Sequence, residues 1–205
     1  MVFYFTSKVE PTALIYMGRD KHENEFLIKY AQHHDVWFHV SNLSSAHVYL
    51  RTETPITSYD EISKELVAEC AQLTKANSIE GCKRHDVGIN YTWATNLLKT
   101  GNMETGSVSF KKPKLVKTVH IEKNKDIIRE VLKSKRELDP DFEKDYRDYL
   151  KEIEREKNAK ILEEKKAAAE EEKKGKEAKK KAKEEWDDFF GAANEDDKVY
   201  AGGSN

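Results

Sequence analysis

Two neighbouring segments constrain this chain more than any others: Asp35-Val36-Trp37-Phe38-His39-Val40 and Ala46-His47-Val48-Tyr49-Leu50-Arg51. Both alternate at period two, the pattern of a strand with two distinct faces. In the first, Val36, Phe38 and Val40 share one face, while Asp35, Trp37 and His39 share the other. In the second, Ala46, Val48 and Leu50 oppose His47, Tyr49 and Arg51. Ser41 to Ser45 form a connection of hairpin length. Pairing them makes one side aliphatic and aromatic core. The other side carries Trp, Tyr, two His, an Arg and an Asp. Left open, such a face is a surface on which nucleic-acid bases can stack.

The chain has 205 residues, of which 36% are charged, yet Lys+Arg 36 against Asp+Glu 38 leaves a net charge of only −2. That balance argues against binding polyanions by bulk charge alone. All 7 His fall in the first 120 residues, and beyond them Glu and Lys dominate. The sequence therefore predicts a globular domain over 1–122, a charged helical extension over 123–185 and a disordered aromatic and acidic tail over 186–205. Met1 to Phe5 is too short an apolar run for a signal peptide, and no run approaches the roughly 20 apolar residues of a transmembrane helix. A cytoplasmic, reduced setting is expected for Cys70 and Cys82, which have no zinc-site spacing; Cys70 reads as core.

Along the chain, Val2 to Thr6 and Thr12 to Met17 read as strands, Arg19 to Asn24 as a turn and Glu25 to Ala31 as a short helix. Ser58-Tyr59-Asp60-Glu61 has the form of a capping box opening a helix to about Ala76, with Ile62, Leu66, Cys70 and Leu73 on one stripe. Val87, Ile89, Tyr91 and Trp93 alternate as another strand. Ser107 to Phe110 and Leu115 to Ile121 read as a final hairpin with Pro113 in its turn. The fold class expected is α+β: a small mixed or antiparallel sheet packed with two helices, then a long charged C-terminal helix and the tail. Ile127, Ile128, Val131 and Leu132 make a short amphipathic helix, and Phe142, Tyr146, Tyr149, Leu150 and Ile153 a second apolar stripe. Residues 163–185 lack sustained a and d positions, so their helix rests on propensity and i,i+4 ion pairs. Trp186-Asp187-Asp188-Phe189-Phe190 is either a docking peptide or a segment that folds back on the domain.

Gly18-Arg19-Asp20, Asn24-Glu25, the Asp-x-Trp-Phe-His-Val block and Ala46-His47-Val48 stand together at spacings that resemble the NFACT RNA-binding domain of ribosome-associated quality-control factors. Lys75-Ala76-Asn77-Ser78 and Tyr91-Thr92 fit the same pattern. The arrangement is closest to the stand-alone eukaryotic branch of that family. The resemblance implies an RNA partner, tRNA or ribosomal RNA, with DNA not excluded and contacts to the ribosome or a translation factor. It does not carry over roles that depend on the other domains of the longer family members. Ser44-Ser45-Ala46-His47 stands where the family often has Pro-Gly-Ser-His; without the permissive glycine a backbone approach to phosphate at Ser45 is not carried over, and the serine hydroxyls are the donors expected in its place.

The candidate site is therefore Arg19, His39, His47 and Arg51 toward phosphate or ribose, with Trp37 and Tyr49 as stacking faces. Lys83, Arg84 and His85 form a basic tripeptide, and Lys111, Lys112, Lys114 and Lys117 a second cluster; such groups position a nucleic acid without reading it. Trp37 is also compatible with packing under a helix, His39 and His47 with a role as satisfied core histidines, and Asp35 with orienting a His or Arg. The function expected is a non-enzymatic RNA-binding adaptor without a cofactor, with a protein partner along 142–190. The alternatives are an interaction scaffold acting through the C-terminal helix, or a metal-dependent enzyme built on His33, His34, Asp35, His39 and His47. The last lacks HExxH or comparable spacing.

Overall fold

The structure, a computed structural model, describes residues 1–199, with side chains through 187. In chain order the elements are β1 (Val2–Thr6), β2 (Leu14–Gly18), α1 (Lys21–Tyr30), β3 (Val36–Val40), β4 (Val48–Arg51), α2 (Lys64–Ala76) and β5 (Asp86–Trp93). Then follow β6 (Leu97–Leu98), β7 (Ser109–Phe110), β8 (Lys117–Glu122), α3 (Lys125–Lys133), β9 (Arg136–Leu138) and α4 (Phe142–Val199). The chain divides into two units, Met1–Tyr149 and a second from Leu150.

In the first unit, seven strands form one sheet in the order β8-β5-β3-β4-β2-β1-β9, and every pairing is antiparallel. The α+β class expected from sequence is what forms. β3 and β4 pair as anticipated, with Val36 opposite Leu50, Trp37 opposite Tyr49 and Phe38 opposite Val48. Three local expectations are corrected. The turn expected at Arg19 to Asn24 is the first part of α1, because the Asp20 carboxylate accepts the His22 and Glu23 amides as an N-cap. The Ser58–Glu61 capping box is real but closes only a 3₁₀ turn; Ser63 then caps α2 through the Leu66 amide. The final hairpin does not form. β7 pairs with β6, and β8 pairs with β5, because Pro113 opens a 3₁₀ turn between them and breaks the ladder.

The pleat gives this sheet two cores. On the first face, Val36, Phe38, Val40, Val48, Leu50, Ile15, Met17 and Phe5 meet Leu66, Cys70 and Leu73 of α2 and Val131 of α3. On the second, Val2, Tyr16, Trp37 and Tyr49 are covered by Leu27 of α1, by Leu97 and Phe110 of the β6–β7 arm, and by Phe142 at the start of α4. The open face expected over β3 and β4 is thus roofed. Trp37 is 2% exposed, His47 3% and Tyr49 0%. Tyr16 stacks on Tyr49 at 5.0 Å, and Trp37 stacks on His39 at 5.3 Å with Phe110 and His47 edge-on. Aromatic pairs at α1 and α4, Phe26 with Phe142 and Tyr30 with Tyr146, hold the roof in place.

The second unit is helical. Its side chains are almost all exposed, and Lys174–Glu170 and Lys176–Glu172 close i,i+4 pairs at 2.8 and 2.7 Å. Trp186 lies in this helix; the side chains of Asp188, Phe189 and Phe190, and all of 200–205, lie outside the described residues. Among the described residues no helix is long and apolar enough to cross a membrane.

Two predictions follow from the second core. Trp37→Ala removes a ring packed on three sides and should cost about 3–5 kcal/mol in urea unfolding; a well-folded variant of unchanged stability would show that the roof is loose. Burial, reinforced by the charges of His39 and Lys99, pushes the His47 pKa down to about 3. The folded state then holds the imidazole neutral, while the unfolded state takes up a proton below about 6.5. The stabilisation is fully present above that value and is lost as pH falls toward 3. Stability should drop by about 2 kcal/mol between pH 7 and 5, and His47→Gln should flatten that dependence.

Candidate nucleic-acid interface

The structure separates the residues singled out from sequence into three groups. Trp37, His47 and Tyr49 are sealed in the second core and offer no stacking face. Trp37 Nε1, His47 Nδ1, Tyr49 Oη and Asn24 Oδ1 are buried with no protein hydrogen-bond partner among the described residues.

Arg51 and Ser45 are occupied by the fold itself. The Arg51 guanidinium donates through Nε at 2.8 Å and Nη2 at 2.7 Å to the buried Asp35 carboxylate, which also accepts the Tyr16 hydroxyl and the Gln32 amide, each at 2.6 Å. Burial alone would lower the Arg51 pKa, but the hydrogen bonds to Asp35 and Tyr16 outweigh it and hold the cation charged. Asp35 therefore orients an arginine, and the guanidinium's Nε and Nη2 are committed to that carboxylate. The Ser45 hydroxyl accepts from the Val40 amide at 3.1 Å and donates to the Ala46 carbonyl at 3.0 Å, closing the β3–β4 loop. That loop is held from outside by Ala46 N to Asn77 O and Ser78 Oγ to Ser44 O. Part of the Lys75–Ser78 motif is thereby explained.

Arg19, Lys83, Arg84, His85, Lys111 and Lys112 are exposed. Arg19 sits at the end of β2, two strands from β3, beside Asp20 at 3.8 Å. The basic tripeptide opens β5 and is anchored by Lys75, whose buried ammonium donates to the His85 carbonyl at 2.8 Å and to that of Ile121 at 3.4 Å. Desolvation lowers the Lys75 pKa. Arg84 and His85 face Glu80 and Glu122, each at 3.7 Å. Lys111 reaches the Thr95 carbonyl at 2.8 Å, and Lys112 is tied through its backbone to Asn96.

The second face is uncovered elsewhere. Register places His39 opposite Asn90, Asn90 opposite Thr118 and Gly88 opposite His120. These residues form a polar strip across β3, β5 and β8, half-buried at His39, Gly88 and Asn90 and exposed at Thr118 and His120. Thr118 Oγ1 donates to Asn90 Oδ1 at 2.8 Å, and His120 Nδ1 meets Asp86 at 3.0 Å. Gly88 keeps the strip flat: a Cβ there would press on the Thr118 methyl at 3.3 Å. His39 donates from Nδ1 to the Val40 carbonyl at 2.8 Å; burial lowers its pKa against that bond. Of the sequence candidates only His39 belongs to this strip. Asn90, Thr118 and His120 escaped the sequence reading, although they are the polar partners in the alternation of Val87, Ile89 and Tyr91 and of Val119 and Ile121. The tripeptide stands at one end of the β5–β8 pair; Lys117, opposite Tyr91 at the other end, alternates to the first face with Val119 and Ile121. Among the described residues no three His, Cys, Asp or Glu side chains converge as a metal site.

Comparison with known proteins agrees with this architecture. Residues 1–112 match the family model described as NFACT protein RNA binding domain. Coiled-coil domain-containing protein 25 of Danio rerio is 51% identical over 152 residues, covering 72% of this chain and 73% of that protein. The Mus musculus protein of the same name is 48% identical over 168 residues, 80% and 79% of the two chains. The Dictyostelium discoideum homolog is 48% identical over 151 residues, 72% of each. Among solved structures, the C-terminal part of the fibronectin/fibrinogen-binding protein from Streptococcus suis superposes with a TM-score of 0.53 at 21% identity. That likeness covers 62% of this chain and 48% of the other, and it bears on the fold alone. A family-model match over more than half the chain, joined to relatives near 50% identity along most of their own length, places this protein in the NFACT RNA-binding-domain family, beside the coiled-coil domain-containing protein 25 group.

Proposed function

We propose that this protein is a non-enzymatic RNA-binding adaptor of the cytoplasm that takes tRNA or ribosomal RNA on the open strip of β3, β5 and β8 and works in association with the ribosome. The observation that carries the proposal is an uncovered polar sheet surface with a basic tripeptide at one end, in a chain of an RNA-binding-domain family. His39 and His120 supply ring faces, and Asn90 and Thr118 supply donors and acceptors for base edges or ribose. Lys83, Arg84, His85, Lys111 and Lys112 contact phosphate and set the path of the strand. A net charge of −2 makes this a local, patch-driven interaction. The helix from Leu150 supports a second reading, a scaffold, because Leu150, Ile161 and Leu162 are exposed on an otherwise charged surface.

Replacing Lys83, Arg84 and His85 together by Ala should weaken binding to all RNAs alike and lower the slope of log K against log salt by about 2. Filter binding across a salt series reads this out; an unchanged slope removes the tripeptide from the interface. A duplex DNA of equal length in the same series shows whether the strip discriminates between nucleic acids. Deleting residues 163–205 should leave RNA affinity intact. Loss of RNA binding in that deletion would move the RNA contacts to the charged helix and overturn this reading.

A further inference from the structure

α3 carries more apolar surface than the sheet can cover. Ile127 and Val131 turn into the first core, while Ile128 and Leu132 turn away from it. With Ala76 at the end of α2 and Cys82, they floor an open groove of about 700 Å³. Leu132 is 44% exposed, and Ile79, whose carbonyl lies 3.5 Å from the Cys82 sulfur, is 79% exposed. The rim is entirely basic: Lys123, Lys125, Arg129 and Lys133. The acidic residues of α3, Asp126 and Glu130, line a different groove, shared with Glu65 and Glu69. Arg129 and Lys133 reach those acids only through exposed i,i+3 pairs, each at 2.7 Å. Such pairs are weak and exchange readily for an incoming carboxylate.

We propose that this groove binds an acidic amphipathic helix of a protein partner. The α3 wall is nine residues long, about 13 Å, so it matches a little over two turns of a helix laid along it. Ile128 and Leu132 are one turn apart, and they receive two apolar anchors at the same spacing on the partner. Carboxylates flanking those anchors meet the four rim cations. A nucleic acid fits this site poorly, because the floor is aliphatic, with no ring to stack on and no polar group to read a base edge. The groove is thus separate from the polar strip in chemistry and in the residues that form it.

The test is fluorescence anisotropy of the full chain with a labelled synthetic peptide of about fourteen residues, Glu-rich, with Leu at two positions four apart. Saturable binding is expected, and Leu132→Asp should weaken it by about tenfold or more. Lys123→Glu with Lys125→Glu, both at exposed sites, should weaken it similarly with an unchanged unfolding midpoint, which covers the case in which Leu132→Asp perturbs folding. RNA affinity should be unaffected by Leu132→Asp. Equal binding of a peptide with both Leu replaced by Ser would reduce the groove to a charge patch and overturn the proposal. So would unchanged peptide affinity in the charge-reversed variant, or displacement of the peptide by RNA.

Discussion

The paired hydrogen bonds from Arg51 to the buried Asp35 carboxylate pin one end of the sheet's central hairpin. Asp35 immediately precedes β3 and Arg51 ends β4, so the pair forms only in the observed register. A slip by one residue would turn Trp37 and His39 into the space now filled by Phe38 and Val40. It would also strand a buried carboxylate without its cation, which is strongly destabilising. Tyr16 adds its hydroxyl from β2, so one carboxylate coordinates three neighbouring strands.

With that register set, the pleat sends bulky side chains to both faces, and both must be covered. The second face is covered by parts far apart in sequence: α1, the β6–β7 arm and the first turn of α4. The cover extends to Thr92 at the end of β5, opposite Trp37, and stops there. Beyond it, β5 and β8 present Asn90, Thr118 and His120, none of which needs burial. The site available to a ligand therefore lies across the sheet from the aromatic block and not on it. The aromatic block borders the site, since the His39 ring stacks on Trp37 along β3 and marks where core gives way to open surface.

The same fold keeps different surface chemistries apart. Lys75 spends its charge inside, on the carbonyls of His85 and Ile121, and so fixes the loop that displays the basic tripeptide. Ser78 and Asn77 hold the β3–β4 loop through main-chain contacts. These residues touch no surface ligand; they determine where the surface residues stand. On the opposite face, α2 and α3 leave an aliphatic groove with a cationic rim, suited to a protein and not to bases.

Much of this was legible in the residues. Period-two alternation marked β3, β4 and β5, the Leu66–Cys70–Leu73 stripe marked α2, and Gly18-Arg19-Asp20 with the Trp-Phe-His block marked the family. Asp20 as a cap for α1 was present in the sequence as an Asp-x-x-Glu pattern and passed for a turn. The polar positions of β5 and β8 were visible only as gaps between apolar ones. The sequence by itself determined that β3 and β4 have two dissimilar faces, because alternation is local and the pleat obeys it. Only the tertiary structure decided which face is closed and where the open strip lies, because the covering side chains come from residues 27, 97, 110 and 142, and no local pattern encodes which distant segment returns to roof a strand.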